Sequence, residues 1–163
     1  MPVRRVIVTG GPGSGKTTLL AELASMGYAT VGETARAIIA ERRALGSSPR
    51  PDRVTFAREI LRRDIAQYVG LPHNSDWVFF DRGLIEAVGG LHEVAPLPAG
   101  ELAAMLAAYP FHRSVFVLPP WRAIYVNDDE RDQTFAESVE VHARIVGWYR
   151  SCGHTLHEVA RLP

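Results

Sequence analysis

Lysine is all but missing from this chain. Of its 18 basic residues 17 are arginine, and the single lysine is Lys16, inside a glycine-rich stretch. A compact ammonium does what a planar guanidinium fork cannot, so lysine kept at one such place points to a ligand that needs a point charge. Cysteine is also scarce: Cys152 stands alone, which excludes an internal disulfide, and it reads as a small semi-buried residue rather than a reactive thiol. Neither sign of charge prevails. Eighteen basic and 18 acidic residues leave a formal net charge of zero, so no nucleic-acid or anionic-membrane surface is expected as the main partner. No apolar run approaches the length of about 18 residues that suggests a membrane span, and no signal peptide is evident, so the expectation is a cytoplasmic protein without a membrane partner.

What is present is an ordinary globular composition over 163 residues, 47% hydrophobic and 22% charged, which fits one domain over 1–163. Arg5 to Thr9 reads as a buried strand, and Thr17 to Met26 as a helix stopped by Gly27. Tyr28 to Gly32 is a second strand. Thr34 to Leu45 is a helix with Ala35, Ile38, Ile39 and Leu45 near one face, ended by Gly46. Asp52 caps a helix to about Val69, with Val54, Leu61, Ile65 and Tyr68 on one stripe. Trp77 to Phe80 is a third strand ending at Asp81. Short helices are expected over Leu84–Leu91 and Glu101–Tyr109, and Ser114–Leu118 is a fourth strand. Thr134 and Glu137 form a capping box for a helix to Ser151, with a stripe of Phe135, Val139, His142, Val146 and Tyr149; Gly153 ends it before a strand over His154–Val159. Apolar strands alternating with helices predict a three-layer α/β domain with a parallel sheet.

Gly10-Gly11-Pro12-Gly13-Ser14-Gly15-Lys16-Thr17 matches the full pattern G-x-x-x-x-G-K-S/T, with a strand before it and a helix after it. Such a loop curls so that successive N–H groups face a phosphate, and the helix N-terminus adds its dipole. Gly10 to Thr18 are therefore the expected nucleotide-binding residues, with Lys16 on the β- and γ-phosphates and Thr17 on Mg²⁺. Asp81, at the end of an apolar strand, has the form of a Walker B acid and is the second expected metal ligand. Its successor is Arg82, where ATP-hydrolysing motor and AAA-type domains often carry a water-activating glutamate. With Lys16 the only lysine, the Asn-Lys-x-Asp element that reads guanine in GTPases is absent. By elimination a small-molecule kinase rises.

Asp81-Arg82-Gly83 resembles the Asp-Arg element of thymidylate and deoxynucleoside kinases. Together with Glu33-Thr34-Ala35-Arg36 and Glu130-Arg131-Asp132-Gln133-Thr134-Phe135, it makes the whole chain similar to the P-loop ATPase/kinase family filed under the AAA-domain label, which includes nicotinamide-ribosyl kinase-like domains. The resemblance implies a P-loop NTPase fold with sheet order 2-3-1-4-5. It also implies that Glu33 meets the acceptor, as a general base or through a magnesium-bound water, against the plain reading of an acid at a helix start. Arg36 either pairs with Glu33 or holds an anionic acceptor, and Arg82 is either an acceptor or phosphate ligand or a structural ion pair. The segment about 120–134 would be a lid whose Arg131, and less securely Arg122, closes on the transferring phosphoryl group; a solvated charge run with Asp128, Asp129, Glu130 and Asp132 is the rival reading. Trp121 and Tyr125 either stack on a base or pack. In related kinases the loop after the fifth strand often touches the base, and here only a few residues follow that strand, so base selectivity and the extent of the functional unit stay open.

The arginines from Arg42 to Arg63 alternate with Glu41, Asp52, Glu59 and Asp64, the pattern of a solvated ion-pair surface. The expected activity is a Mg·ATP-dependent phosphotransfer to a small metabolite, nucleoside-like compounds among the candidates. The rivals are an NTPase acting as a conformational switch and a nucleotide-binding regulatory module. Oligomeric state is not legible.

Overall fold

Residues 3–71, 76–126 and 133–161 are described in the computed structural model. Five strands form one sheet: β1 (Arg4–Gly10), β2 (Ala29–Val31), β3 (Trp77–Asp81), β4 (Ser114–Leu118) and β5 (Thr155–Glu158). Their order is β2-β3-β1-β4-β5, and every pairing is parallel. The order expected from the resemblance is therefore the one observed. Strand β1 sits at the centre because it is apolar on both faces: Val6, Ile7 and Val8 are all but inaccessible, as are Val78 and Val115 beside them. Each such side chain contributes about 1.5–3 kcal/mol by leaving water. The edge strand β5 carries exposed Thr155, His157 and Glu158, a polar edge that discourages further strand pairing.

The helices are α1 (Lys16–Ser25), α2 (Thr34–Ala44), α3 (Arg53–Val69), α4 (Leu84–Val94), α5 (Ala99–Ala108) and α6 (Phe135–Ser151), with a 3₁₀ turn at Arg122–Ile124. The chain divides into two compact units. The first holds the sheet with α1 and α6 (Met1–Gly32, His73–Arg82, Phe111–Pro163); the second holds α2 to α5 (Glu33–Pro72, Gly83–Pro110). In the first unit, Val8, Leu20 and Leu118 form a cluster joined by Leu19, Leu23, Phe79 and Val159, which seats α1 against the sheet. In the second, the buried Thr34 hydroxyl donates to the Asp64 carboxylate and so ties the start of α2 to α3. The Tyr68 hydroxyl donates to the Pro110 carbonyl at 2.6 Å.

Local chemistry explains most element ends. Asp52 caps α3 by accepting from the Thr55 N–H, and Thr134 with Glu137 closes the expected capping box on α6. Helix α4 runs three residues beyond the expected Leu91 and stops at Ala95, which precedes Pro96 and is extended as that position requires. Helix α5 begins at Ala99, two residues early, just after Pro98.

Three expectations fail. Leu45 lies past the end of α2 and is 81% exposed, so it joins no core face. On α6 the buried positions are Ser138, Ile145 and Tyr149, while Val139 is 41% exposed. The true stripe passes through a serine, which a hydrophobic pattern does not register. Cys152 is the C-cap residue of α6 and is exposed rather than semi-buried.

On the second unit the charged helices do pair: Glu59 binds Arg62 at 2.8 Å and Arg63 at 2.6 Å, and Arg63 also reaches Glu41 at 2.7 Å. The guanidiniums of Arg62 and then Arg63 hold the Glu59 carboxyl down at about 2. The associated stability is present above the ordinary glutamate range and lost as pH falls toward that value, but at so exposed a site it is small and weakened by salt.

Candidate functional site

The site grows from the end of β1. Gly10, the last residue of that strand, is in register with Leu118 of β4 and has φ +147°. A Cβ there would lie 2.5 Å from the Leu118 carbonyl oxygen and 2.9 Å from Ser14 Oγ, so only glycine lets the strand pass into the loop. The loop then folds onto itself through one acceptor. The Gly11 carbonyl receives the Ser14 hydroxyl at 2.9 Å and the Lys16 ammonium at 3.0 Å, with Ser14 and Lys16 both buried. Gly15 has φ +93°, and a Cβ on it would meet Ile124 Cδ1 at 3.3 Å, so the 3₁₀ turn after β4 lies against the start of α1.

Helix α1 starts without the usual furniture. Gly15 offers no side-chain cap, and no acid occupies the first turn. Its first N–H groups and positive dipole end are left to the loop beside Lys16, the arrangement that binds anions. Thr17 and Thr18 are exposed on that first turn.

Asp81 arrives from the neighbouring strand. It is the last residue of β3, is paired in register with Val8, and is 8% exposed. The N–H of Arg82 donates to the Val8 carbonyl at 3.0 Å, which pins the chain just after the carboxylate. Arg82 itself has φ +71°, the one non-glycine at positive φ among the described residues. Such a conformation costs about 1–2 kcal/mol and is retained where the surroundings or the function fix it. Arg82→Gly keeps the left-handed turn, which glycine adopts freely, and removes the whole side chain with its charge. It is expected to stay folded, with a thermal midpoint near wild type, and to lose most turnover; full activity would make Arg82 structural.

The donor set suits a hard divalent cation. Among the described residues no group of three or more His, Cys, Asp or Glu side chains could hold a metal alone. Magnesium needs no such cage, since it is commonly held by one or two protein oxygens, water and substrate phosphates. A threonine hydroxyl at the start of α1 and a carboxylate at the end of β3 fit that pattern.

The sequence-derived residues thus fall into groups. Gly10 to Thr18, Asp81 and Arg82 belong to the first unit, at the C-terminal ends of β1 and β3. Glu33 and Arg36 belong to the second, at the start of α2. Glu33 is the N-cap residue, yet its side chain makes no capping bond; it meets Arg36 at 3.6 Å instead. Arg131, with Asp128, Asp129, Glu130 and Asp132, lies outside the described residues. Arg122 stacks over the Phe135 ring at 5.1 Å, and Tyr125 packs edge-on against the same ring while its hydroxyl donates to the Gln133 carbonyl. Tyr125 is therefore a packing residue.

Sequence reasoning missed the support behind the loop. A Cβ on Gly11 would lie 2.5 Å from the Ser138 carbonyl oxygen and 3.5 Å from His142 Cβ, so one turn of α6 presses against the loop backbone. His142 is on the stripe expected for α6, but Ser138, four residues earlier on the same helix face, is not. In the second unit, Glu86 is buried and accepts the Gly83 N–H at 2.9 Å, a helix-start box in which glycine stands where serine or threonine is usual.

The parallel sheet of order β2-β3-β1-β4-β5 with its flanking helices is the expected three-layer α/β class, and solved structures share this fold. A NadR protein, solved in complex with NR, matches with a TM-score of 0.64 and 18% identity over 96% of this chain. This chain spans 45% of that protein's length. Thymidylate kinase from Ehrlichia chaffeensis matches with a TM-score of 0.59 and 17% identity, over 100% of this chain and 89% of that one. No curated protein matches. No helix among the described residues is long and apolar enough to cross a membrane. Residues 5–162 match the family described as AAA domain, and the chain belongs to that family.

Proposed function

We propose that this protein is a Mg·ATP-dependent phosphotransferase acting on a small hydroxyl- or phosphate-bearing metabolite, with nucleoside-like compounds foremost. The observation that carries the reading is the single lysine of the chain, buried in a glycine-rich loop at an uncapped helix start, with an aspartate closing the adjacent strand and arginine after it. In this reading Gly10 to Thr18 cradle the phosphates, and Lys16 neutralises charge on the β- and γ-phosphoryl groups. Thr17 and Asp81 would hold Mg²⁺, which would supply further charge neutralisation on the phosphates. Glu33 orients or deprotonates the acceptor, Arg36 and Arg82 bind its anionic groups, and Arg131 is assigned to the transferring phosphoryl group. Most of the rate enhancement then comes from positioning and fixed charge rather than from a reactive side chain.

Release of ADP from Mg·ATP, measured against nucleosides, nucleotides, sugars and vitamin precursors, tests the reading. Strong stimulation by one compound establishes the kinase and identifies its acceptor. A flat panel with slow basal hydrolysis supports a P-loop NTPase acting as a switch or binding module. Glu33→Gln is expected to lower acceptor-dependent turnover by about 10²-fold or more with nucleotide affinity nearly intact. A wild-type rate would make Glu33 a structural residue.

A further inference from the structure

Behind the phosphate loop stands a histidine that the proposed chemistry does not use. His142 lies on the turn of α6 that presses on Gly11, its Cβ 3.5 Å from where a Gly11 Cβ would be. Gly11 is also the residue whose carbonyl holds Lys16 and Ser14. His142 Nδ1 is buried and has no hydrogen-bond partner among the described residues. A polar atom shut away from water in that state is costly, and an apolar side chain of similar size would fill the same space more cheaply.

We propose that His142 is a proton-accepting support of the phosphate loop, taking up a proton when a nucleoside polyphosphate enters the cradle and thereby tightening binding in mildly acidic solution.

The argument is electrostatic and rests on the phosphate-binding reading of the loop. Burial disfavours the imidazolium and holds His142 below the ordinary histidine range; Glu158 of β5 draws it back up, and Arg161 beyond β5 pushes it down. From the loop, Lys16 is a cation hydrogen-bonded to the Gly11 carbonyl. In the free protein these groups leave the ring neutral near pH 7. A magnesium polyphosphate in the cradle brings phosphate charges that Mg²⁺ only partly neutralises to the loop on which this turn of α6 presses, where partial burial keeps screening weak. Those charges favour the imidazolium, and by linkage a proton on His142 then favours the polyphosphate to the same degree. His142 is thus a positioning residue that acts through the loop, not one that touches the phosphates.

Calorimetric titration with Mg·ADP at pH 6.0, 7.0 and 8.0, in two buffers of different ionisation enthalpy, tests this on the wild type and His142→Gln. The wild type is expected to take up protons on binding and to gain about fivefold more affinity between pH 8 and pH 6 than the variant. Equal pH dependence in the two proteins overturns the proposal while leaving the loop a nucleotide site. Absence of Mg·ADP binding at every pH overturns the phosphate-loop reading itself, and this proposal with it. If His142→Gln does not fold, the wild type decides alone: the NMR titration midpoint of the His142 ring must rise on saturation with Mg·ADP, and an unchanged midpoint overturns the proposal.

Discussion

Replacing Lys16 with alanine is expected to abolish turnover while leaving a folded protein. The side chain is 5% exposed, so burial alone would suggest a structural part. Its chemistry argues otherwise. The ammonium makes a hydrogen bond of 3.0 Å to the Gly11 carbonyl, a charge-assisted contact of about 1.5–3 kcal/mol, but it does so after losing much of its hydration. The net loss on removal is therefore small, and alanine is the better helix former at the first residue of α1. Toward the phosphates nothing compensates. The chain has no second lysine, and arginine's fork does not reproduce a compact ammonium. A fall of at least about 10²–10³-fold in Mg·ATP turnover is expected, with weaker triphosphate binding and a thermal midpoint within a few degrees of wild type. An unfolded variant would move Lys16 into the scaffold, and a near-wild-type rate would remove it from the chemistry.

Gly10→Ala should produce the largest loss of stability available from one methyl group in the site. The added carbon would stand 2.5 Å from the Leu118 carbonyl oxygen, a distance at which something must shift. That oxygen belongs to the backbone of β4, in register with Gly10, so it cannot retreat without opening the parallel pairing at the end of the sheet. The φ of +147° adds strain that any side chain would feel. The two costs together amount to about 3 kcal/mol, equivalent to a fall of roughly 6–12 °C in thermal midpoint for a chain of this size. Gly147→Ala is the control. It lies in the interior of α6 with nothing within 4 Å of an added Cβ, and the same chemical change should stabilise there by about 0.5–1 kcal/mol. Thermal unfolding of the two variants side by side checks both signs. Equal shifts would mean that the β1–loop junction is looser than its geometry shows.

The contrast between these two glycines marks the limit of what a sequence conveys. The motif identified Gly10 as special, yet the reason, a carbonyl of a strand more than a hundred residues later, is not written near it. The sequence by itself determined the phosphate loop, the cap residues Asp52 and Thr134, the strands and nearly all helix ends, because these depend on neighbours within a turn or two. Period, capping and glycine placement are local, and local chemistry is legible in one dimension. Only the tertiary structure decided which face of α6 is buried. Ser138 and His142 carry the contact with Gly11, and a polar residue at the tightest point is invisible to a hydrophobic stripe. It also decided that Leu45 and Val139 face solvent, that Tyr125 packs on Phe135, and that Glu33 meets Arg36 rather than capping α2. The Glu33–Arg36 pair, only three residues apart, is one of two local alternatives that the sequence left open. The buried face of α6 depends on which surfaces meet across long separations in sequence, where close packing chooses among faces that propensity leaves equivalent.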